Sequence, residues 1–133
     1  MGEGVLMDKV VPPIFIFDVK GVDMGVYASL PDAESHLEPI DVRNNEYVAY
    51  DAEGRLLRLE TAGKQVTASL AEEQPTHARE LEAALREFLK AMKEPMASDP
   101  TSNLSLLVTV ARKYVEDIKV LHRYSLTSLF LKK

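Results

Sequence analysis

The spacing of the apolar residues changes at Pro75, and this change constrains the fold more than any other feature of the sequence. Before Pro75, apolar and polar residues alternate, most clearly in Gln65–Leu70, and this pattern is typical of a strand with one face in a core. After Pro75, the apolar residues recur with the i, i+3, i+4 spacing of an amphipathic helix. The sequence therefore predicts an α+β domain in which strands come first and long helices come last.

Several strand-like stretches precede Pro75, and turn signals separate them. Asn44, Asn45, Gly54 and Gly63 mark the turns, because asparagine and glycine tolerate the left-handed backbone conformation. Short chain reversals of this kind favour a meandering, mostly antiparallel sheet of about five strands. The predicted strands are residues 14–19, 24–28, 47–50, 55–60 and 65–70, with a further brief strand at 40–42.

A short helix is expected after the second strand. Ser29 can cap its first turn, Pro31 and Asp32 suit that turn, and Pro39 ends it. Two long helices are predicted in the second half of the chain, and we expect both to pack on one face of the sheet. The first follows Pro75 and extends to residue 92, and the second runs from a cap at residues 101–103 to about residue 122. The predicted core residues of this layer are Leu81, Leu85, Phe88, Leu107, Val108, Ala111 and Ile118.

The 133 residues suit a single domain. Residues 1–12 are expected to be disordered, and residues 125–133 to form a loosely packed tail. The sequence contains no signal-peptide pattern, no apolar stretch of membrane-spanning length and no cysteine. These features predict a cytoplasmic protein without membrane attachment.

The net charge of −5 is unevenly distributed. Residues 32–60 contain eight acidic and three basic side chains, whereas residues 110–133 contain six basic and two acidic ones. Such asymmetry can mark separate surfaces. The acidic balance makes nucleic acid an unexpected partner, because phosphate contacts need a basic face.

Motifs for catalysis or cofactor binding are missing from the sequence. The three histidines do not have metal-ligand spacing, so no metal, cofactor or catalytic residue is predicted. The best acid–base candidates are Asp41, Glu46, Asp51 and Glu53, although Asp51 and Glu53 lie in a predicted turn. One alternative stays open. Asp41, Glu46 or His36 could serve a small ligand-binding domain or a hydrolase-like enzyme with paired carboxylates in a pocket between sheet and helices.

Residues 17–59 contain the motif DAE..LE.IDV...EY.AYD.EGR.L, beginning at Asp32. In these residues the chain resembles a group of short, uncharacterised bacterial proteins, some of which resemble immunity proteins of toxin systems. The resemblance implies a cytoplasmic protein that binds and neutralises a toxin, and it carries no catalytic signature.

The composition and the resemblance together predict a non-catalytic protein that binds a protein partner, such as a cognate basic toxin, through an acidic and aromatic surface. Tyrosines in predicted strands would supply contact area at a low entropic cost. A homodimer through the long helices, with residues 126–131 in the contact, is compatible with this function. The predicted binding residues are Glu38, Asp41, Glu46, Tyr47, Tyr50, Asp51 and Glu53.

Overall fold

The computed structural model describes residues 10–20 and 24–115. These residues form an α+β domain around a five-stranded antiparallel sheet. The strand order is β2-β1-β3-β4-β5, which makes β2 and β5 the edges among the described strands. The strands are β1 (Ile14–Asp18), β2 (Met24–Tyr27), β3 (Tyr47–Tyr50), β4 (Leu56–Ala62) and β5 (Gln65–Leu70).

Two short helices lie between β2 and β3, and the longer helices follow β5. Ser29 caps the first helix by accepting the backbone N–H of Asp32, and Asn103 caps the last by accepting that of Leu106. The sequence predicted the cap at Ser29, and it placed the other cap within residues 101–103 without choosing among them. The helices are α1 (Leu30–His36), α2 (Pro39–Arg43), α3 (Ala78–Ala91) and α4 (Leu104–Ala111), with a 3-10 helix at Pro95–Ser98 between the last two.

One hydrophobic core lies between the sheet and the helices α3 and α4. Leu81, Leu85 and Leu89 form the fully buried stripe of α3, and the first two were predicted as core residues. Leu107 and Ala111 of α4 are also fully buried and pack in the same core. The sheet contributes the following buried side chains to this core: Phe15, Met24, Val26 and Tyr50.

A second core covers the opposite face of the sheet, where α1 and α2 pack. Ala33 and Leu37 come from the α1 region and Val42 comes from α2. The sheet is therefore covered by helices on both faces. The two long helices share one face, as the sequence predicted, whereas the sequence assigned no face to the short helix. Strand β1 suits both cores, because its alternating isoleucines and phenylalanines are apolar on both sides. Its residues Ile14 and Ile16 enter the second core, and Phe15 enters the first.

One predicted strand is a helix, and one predicted helix is only partly described. Residues 40–42 belong to α2 and not to a strand, because Pro39 occupies the first turn of a helix, a position that suits its fixed backbone angle. Helix α4 spans Leu104–Ala111, and residues 113–115 are again helical after a turn at Arg112. The rest of the predicted extension to about residue 122 lies outside the described residues. Of the predicted core, Phe88 is half-buried and Ile118 lies outside the described residues.

The turns follow the predicted backbone chemistry. Asn45 has φ of 57°, Gly54 of 92° and Gly63 of 63°, all in the left-handed region. At Gly54 a side chain would also collide with the backbone of Ala78 at the start of α3. Gly54 therefore allows the β3–β4 turn and the longest helix to lie in contact.

Arg86 holds the segment between α3 and α4. Its guanidinium donates to the backbone carbonyls of Ala97, Asp99 and Ser102 over 2.6–3.2 Å, and it pairs with Glu82 at 3.0 Å. Glu82 and Arg86 have the i, i+4 spacing that suits such a pair on a helix. The carbonyl contacts tie the irregular segment to α3 through charge-assisted hydrogen bonds.

The described residues include only part of the two end segments for which predictions were made. The tail at residues 125–133 and most of the segment 1–12 lie outside the described residues. Within the described part of that segment, the N–H of Val11 donates to Asp51 and its carbonyl accepts from Ala52. None of the helices in residues 10–20 and 24–115 has the length and apolar character needed to cross a bilayer.

Candidate functional site

A hydrogen bond between two side chains of the acidic segment, residues 32–60, joins Tyr47 to Asp41. The Tyr47 hydroxyl donates to Asp41 Oδ2 over 3.2 Å, and both side chains are half-buried. The left-handed residue Asn45 reverses the chain between α2 and β3, and the N–H of Glu46 donates to the carbonyl of Asp41. This short reversal is what brings a helix carboxylate to a strand hydroxyl.

The end of β1 lies beside this contact. The N–H of Val19 donates to the carbonyl of Glu46 over 2.9 Å, continuing the β1–β3 ladder by one pair. Asp18 is directly paired with Tyr47 in the same ladder. Lys20 lies 3.6 Å from Glu46, but its side chain is 72% exposed, so this ion pair contributes little to stability.

The buried ring of Tyr27 lies near Tyr47. Gly25 precedes Tyr27 on the same side of β2, and a Cβ atom built on Gly25 would lie 2.5–2.8 Å from the end of the Tyr27 ring. The ring therefore lies back over Gly25, toward the end of the sheet that carries Asp18. Its centroid is 5.1 Å from the ring of His36 in α1.

The ionisation of both tyrosines reflects this environment. Burial raises the pKa of Tyr47 to about 12, aided by the hydrogen bond to Asp41 and by the charges of Asp41 and Asp18 and the nearby Tyr27. Burial also raises the pKa of Tyr27, and the charge of Asp32 adds to the effect. Both hydroxyls keep their protons at neutral pH, and that of Tyr47 donates a hydrogen bond to a carboxylate.

These side chains form one region, which we call the acidic–aromatic surface. Two exposed aliphatic residues flank it: Ile40 is 57% exposed and Val19 is 54% exposed. Glu38 is exposed at the N-cap position of α2 and its side chain makes no capping bond. The surface comprises Asp18, Asp32, Glu38, Asp41, Glu46 and Tyr47. Tyr27 is 8% exposed and lies in the core beside it.

Four of the seven predicted binding residues belong to this surface, and the other three lie at the opposite end of β3. Tyr50 is 8% exposed and faces α3, where burial raises its pKa and the charges of Glu80 and Glu72 add to the effect. Asp51 has no exposed area. Glu53 is exposed and forms an ion pair with Arg55 at 2.8 Å.

Asp51 organises the β3–β4 turn. Its carboxylate accepts the backbone N–H groups of Val11, Glu53 and Arg55 over 2.9–3.2 Å. The guanidinium of Arg55 adds a fourth bond at 3.1 Å. A carboxylate with this many internal donors and no accessible area serves the fold, so Asp51 does not contribute to the acidic–aromatic surface.

A further polar cluster joins β4 to the start of α3. The carboxylate of Glu72 accepts the N–H of Leu56, the hydroxyl of Thr76 and the ring of His77 at 2.8 Å. Burial alone would raise the pKa of Glu72, but these three hydrogen bonds and the charge of His77 outweigh it and lower the pKa to about 2. The cluster is a structural connection between strand and helix.

Two observations bear on catalysis and metal binding. An open groove of about 440 Å³ is lined by prolines 12 and 13, Ala28, Val115 and the cations Arg112 and Lys113, and it contains no carboxylate. Within the part of the chain that the structure describes, no three His, Asp or Glu side chains are close enough to hold a metal ion. Asp41, Glu46 and His36 do not line this groove, and they form no metal-binding cluster among the described residues.

Sequence reasoning missed Asp18, Asp32 and the folding of Tyr27 over Gly25. A signal for Tyr27 was present, because Gly25 stands two positions before it on the same face of a strand.

Comparisons with protein-family models, with curated proteins and with solved structures give no match for this chain. The resemblance of residues 17–59 to short bacterial proteins therefore stays a prediction.

Proposed function

We propose that this chain is a non-catalytic binding protein of the immunity type, acting in the cytoplasm, which neutralises a basic bacterial toxin through the acidic–aromatic surface. The observation that carries the proposal is the hydrogen bond between Tyr47 and Asp41. It fixes a half-exposed aromatic ring among carboxylates, so that contact with a partner costs little side-chain entropy.

The charges of the surface suit a basic partner. Glu38, Asp41 and Glu46 are close in sequence and flank the exposed side chain of Ile40. Long-range attraction from such carboxylates speeds the encounter with a cationic protein, and salt screens it over about 8 Å at physiological ionic strength. An exposed aliphatic residue beside them can supply the apolar contact that slows dissociation.

Binding kinetics with the partner captured from the native cell extract test the proposal. Replacing Asp18, Glu38 and Glu46 together by Asn, Gln and Gln should slow association and flatten its dependence on salt. A matched control replaces Glu53, Glu80 and Glu87 by Gln, which changes the net charge equally at other exposed positions. Equal association rates for the two triple variants at low salt would rule out the acidic–aromatic surface as the point of capture.

Two single variants test the apolar and aromatic contacts. Ile40→Ala and Tyr47→Ala should mainly speed dissociation, with a loss of about 2 kcal/mol or more for a residue at the centre of an interface. Leu106→Ala is the control, because Leu106 is also exposed but lies on α4.

A screen for activity tests the non-catalytic part of the proposal. Phosphoester, ester, peptide and glycoside substrates should all remain unchanged in the presence of the protein. A reproducible activity that Asp41→Asn or Glu46→Gln abolishes would instead favour an enzyme with paired carboxylates.

A further inference from the structure

The composition of strand β5 favours backbone pairing with a further strand at the edge of the sheet. Its six residues, Gln65–Leu70, contain no charge and no proline, and they alternate apolar and polar side chains. It is the last strand of the described sheet, so one side of its backbone does not face β4. Exposed edges of this kind are templates for further strands, and proteins commonly protect them with a charged side chain.

The ladder identifies the backbone groups on the outer side of β5. Ala71 donates its N–H to the carbonyl of Leu56, so residues 56 and 71 form a hydrogen-bonded pair at the end of the ladder. Such pairs recur at every second residue. The backbone N–H and C=O groups of Gln65, Thr67 and Ser69 therefore point toward β4. The N–H groups of the intervening residues Val66, Ala68 and Leu70 therefore point outward.

Glu34 of α1 accepts a hydrogen bond from the middle one of these three outward N–H groups. Its Oε2 accepts the N–H of Ala68 over 2.8 Å, and the two residues are 34 positions apart in the sequence. Helix α1 packs over β5, which lets the Glu34 side chain reach over the edge. A hydrogen bond to a carboxylate is stronger than one between neutral groups, and the charge also disfavours an approaching strand.

We propose that Glu34 closes the β5 edge against a second copy of this chain. Without the carboxylate, β5 pairs in the antiparallel direction with β5 of the second copy, about a twofold axis at Ala68. This register places Val66 opposite Leu70 and Thr67 opposite Ser69, so like side chains meet and no charges oppose each other. The self-complementarity of the strand is what favours a second copy as the occupant.

The first test removes the carboxylate. Glu34→Ala should self-associate at least about tenfold more tightly than the parent, measured by sedimentation velocity over a range of concentrations, and its Ala68 amide should exchange about tenfold faster in dilute solution. Glu87→Ala, which removes an exposed carboxylate from α3, should change neither quantity.

A second change identifies the contact. In Glu34→Ala/Ala68→Pro the outward donor is absent, and proline is tolerated where a strand N–H points away from the sheet. This double variant should return to the association state of the parent. If it associates as tightly as Glu34→Ala, or if Glu34→Ala itself does not associate, the proposal is overturned.

Glu34→Asp covers the case in which Glu34→Ala fails to fold. It keeps the charge and the helix but is one methylene too short to reach Ala68, so the circular dichroism signal should be unchanged while the Ala68 amide exchanges faster. An unchanged exchange rate at Ala68 in this folded variant would show that Glu34 does not guard the edge.

Discussion

The hydroxyl of Tyr47 donates to Asp41 over 3.2 Å and links the first residue of β3 to the short helix before it. Burial and this bond raise the pKa of Tyr47 from 10.0 to about 12. Because the neutral phenol is favoured in the folded chain, the resulting stability is present below about pH 10 and is lost as the pH rises toward 12.

Asp41→Asn should therefore lower the pKa of Tyr47 while leaving it above 10, because burial remains after the charge is lost. NMR titration of the tyrosine rings measures this change. The pKa of Tyr50 serves as the internal control, since it is raised by burial and by Glu80 and Glu72 and not by Asp41. A Tyr47 pKa that does not move in Asp41→Asn would mean that the bond is absent in solution.

Acid should destabilise the protein partly through Glu72. Its pKa is lowered from 4.5 to about 2 in the folded chain, so its contribution is present above pH 4.5 and is lost as the pH falls toward 2. Glu72→Gln should flatten the pH dependence of the unfolding free energy within this window. Denaturant unfolding at several pH values measures the effect, and Glu60→Gln, at an exposed position on β4, should leave the slope unchanged.

Asp51→Ala should be strongly destabilising, by about 3–5 kcal/mol, because it leaves a guanidinium and three backbone donors without their buried acceptor. Glu53→Ala is the matched control. It removes the exposed carboxylate that pairs with the same Arg55, and it should change stability by about 0.5 kcal/mol or less. Comparable losses for the two variants would contradict the structural role of Asp51.

Leu85→Ala and Leu107→Ala should each lower the unfolding free energy by about 2–5 kcal/mol, because both side chains are fully buried between the sheet and the helices. Leu106→Ala makes the same chemical change at a position that is 43% exposed and should cost much less. Urea denaturation of the three variants checks the orientation of α3 and α4.

Gly25→Ala should displace the Tyr27 ring, since the added Cβ would lie within 2.5–2.8 Å of it. We expect a loss of stability together with a change in the fluorescence or ring NMR signals of Tyr27. The control Ala62→Gly, at an exposed position on β4, should leave those signals in place. Unperturbed Tyr27 signals in a folded Gly25→Ala variant would show that the ring does not lie over Gly25.

The sequence predicted the elements whose signals are local. The cap at Ser29, the left-handed turns at Asn45 and Gly54, and the apolar stripe of α3 each follow from residues within one turn of the chain. Residues 40–42 form part of a helix, whereas the sequence predicts a brief strand there. Pro39 in the first turn was the stronger signal, and it favours the helix that forms.

The candidate site was harder to predict because its geometry depends on distant residues. Asp51 was correctly assigned to a turn, but its burial depends on Val11, 40 positions earlier in the chain. Asp18 approaches Tyr47 only because β1 pairs with β3. The sequence identified carboxylates and tyrosines as binding candidates, and strand pairing divided them between the two ends of β3.

Strand β1 lies between the two cores, since Ile14 and Ile16 face one core and Phe15 the other. Loss of either helical layer would expose one side of the same five residues and remove support for the strand as a whole. The two layers are therefore energetically coupled through β1. We expect the domain to unfold in a single cooperative transition, with the amides of Phe15 and Ile16 among the slowest to exchange with solvent.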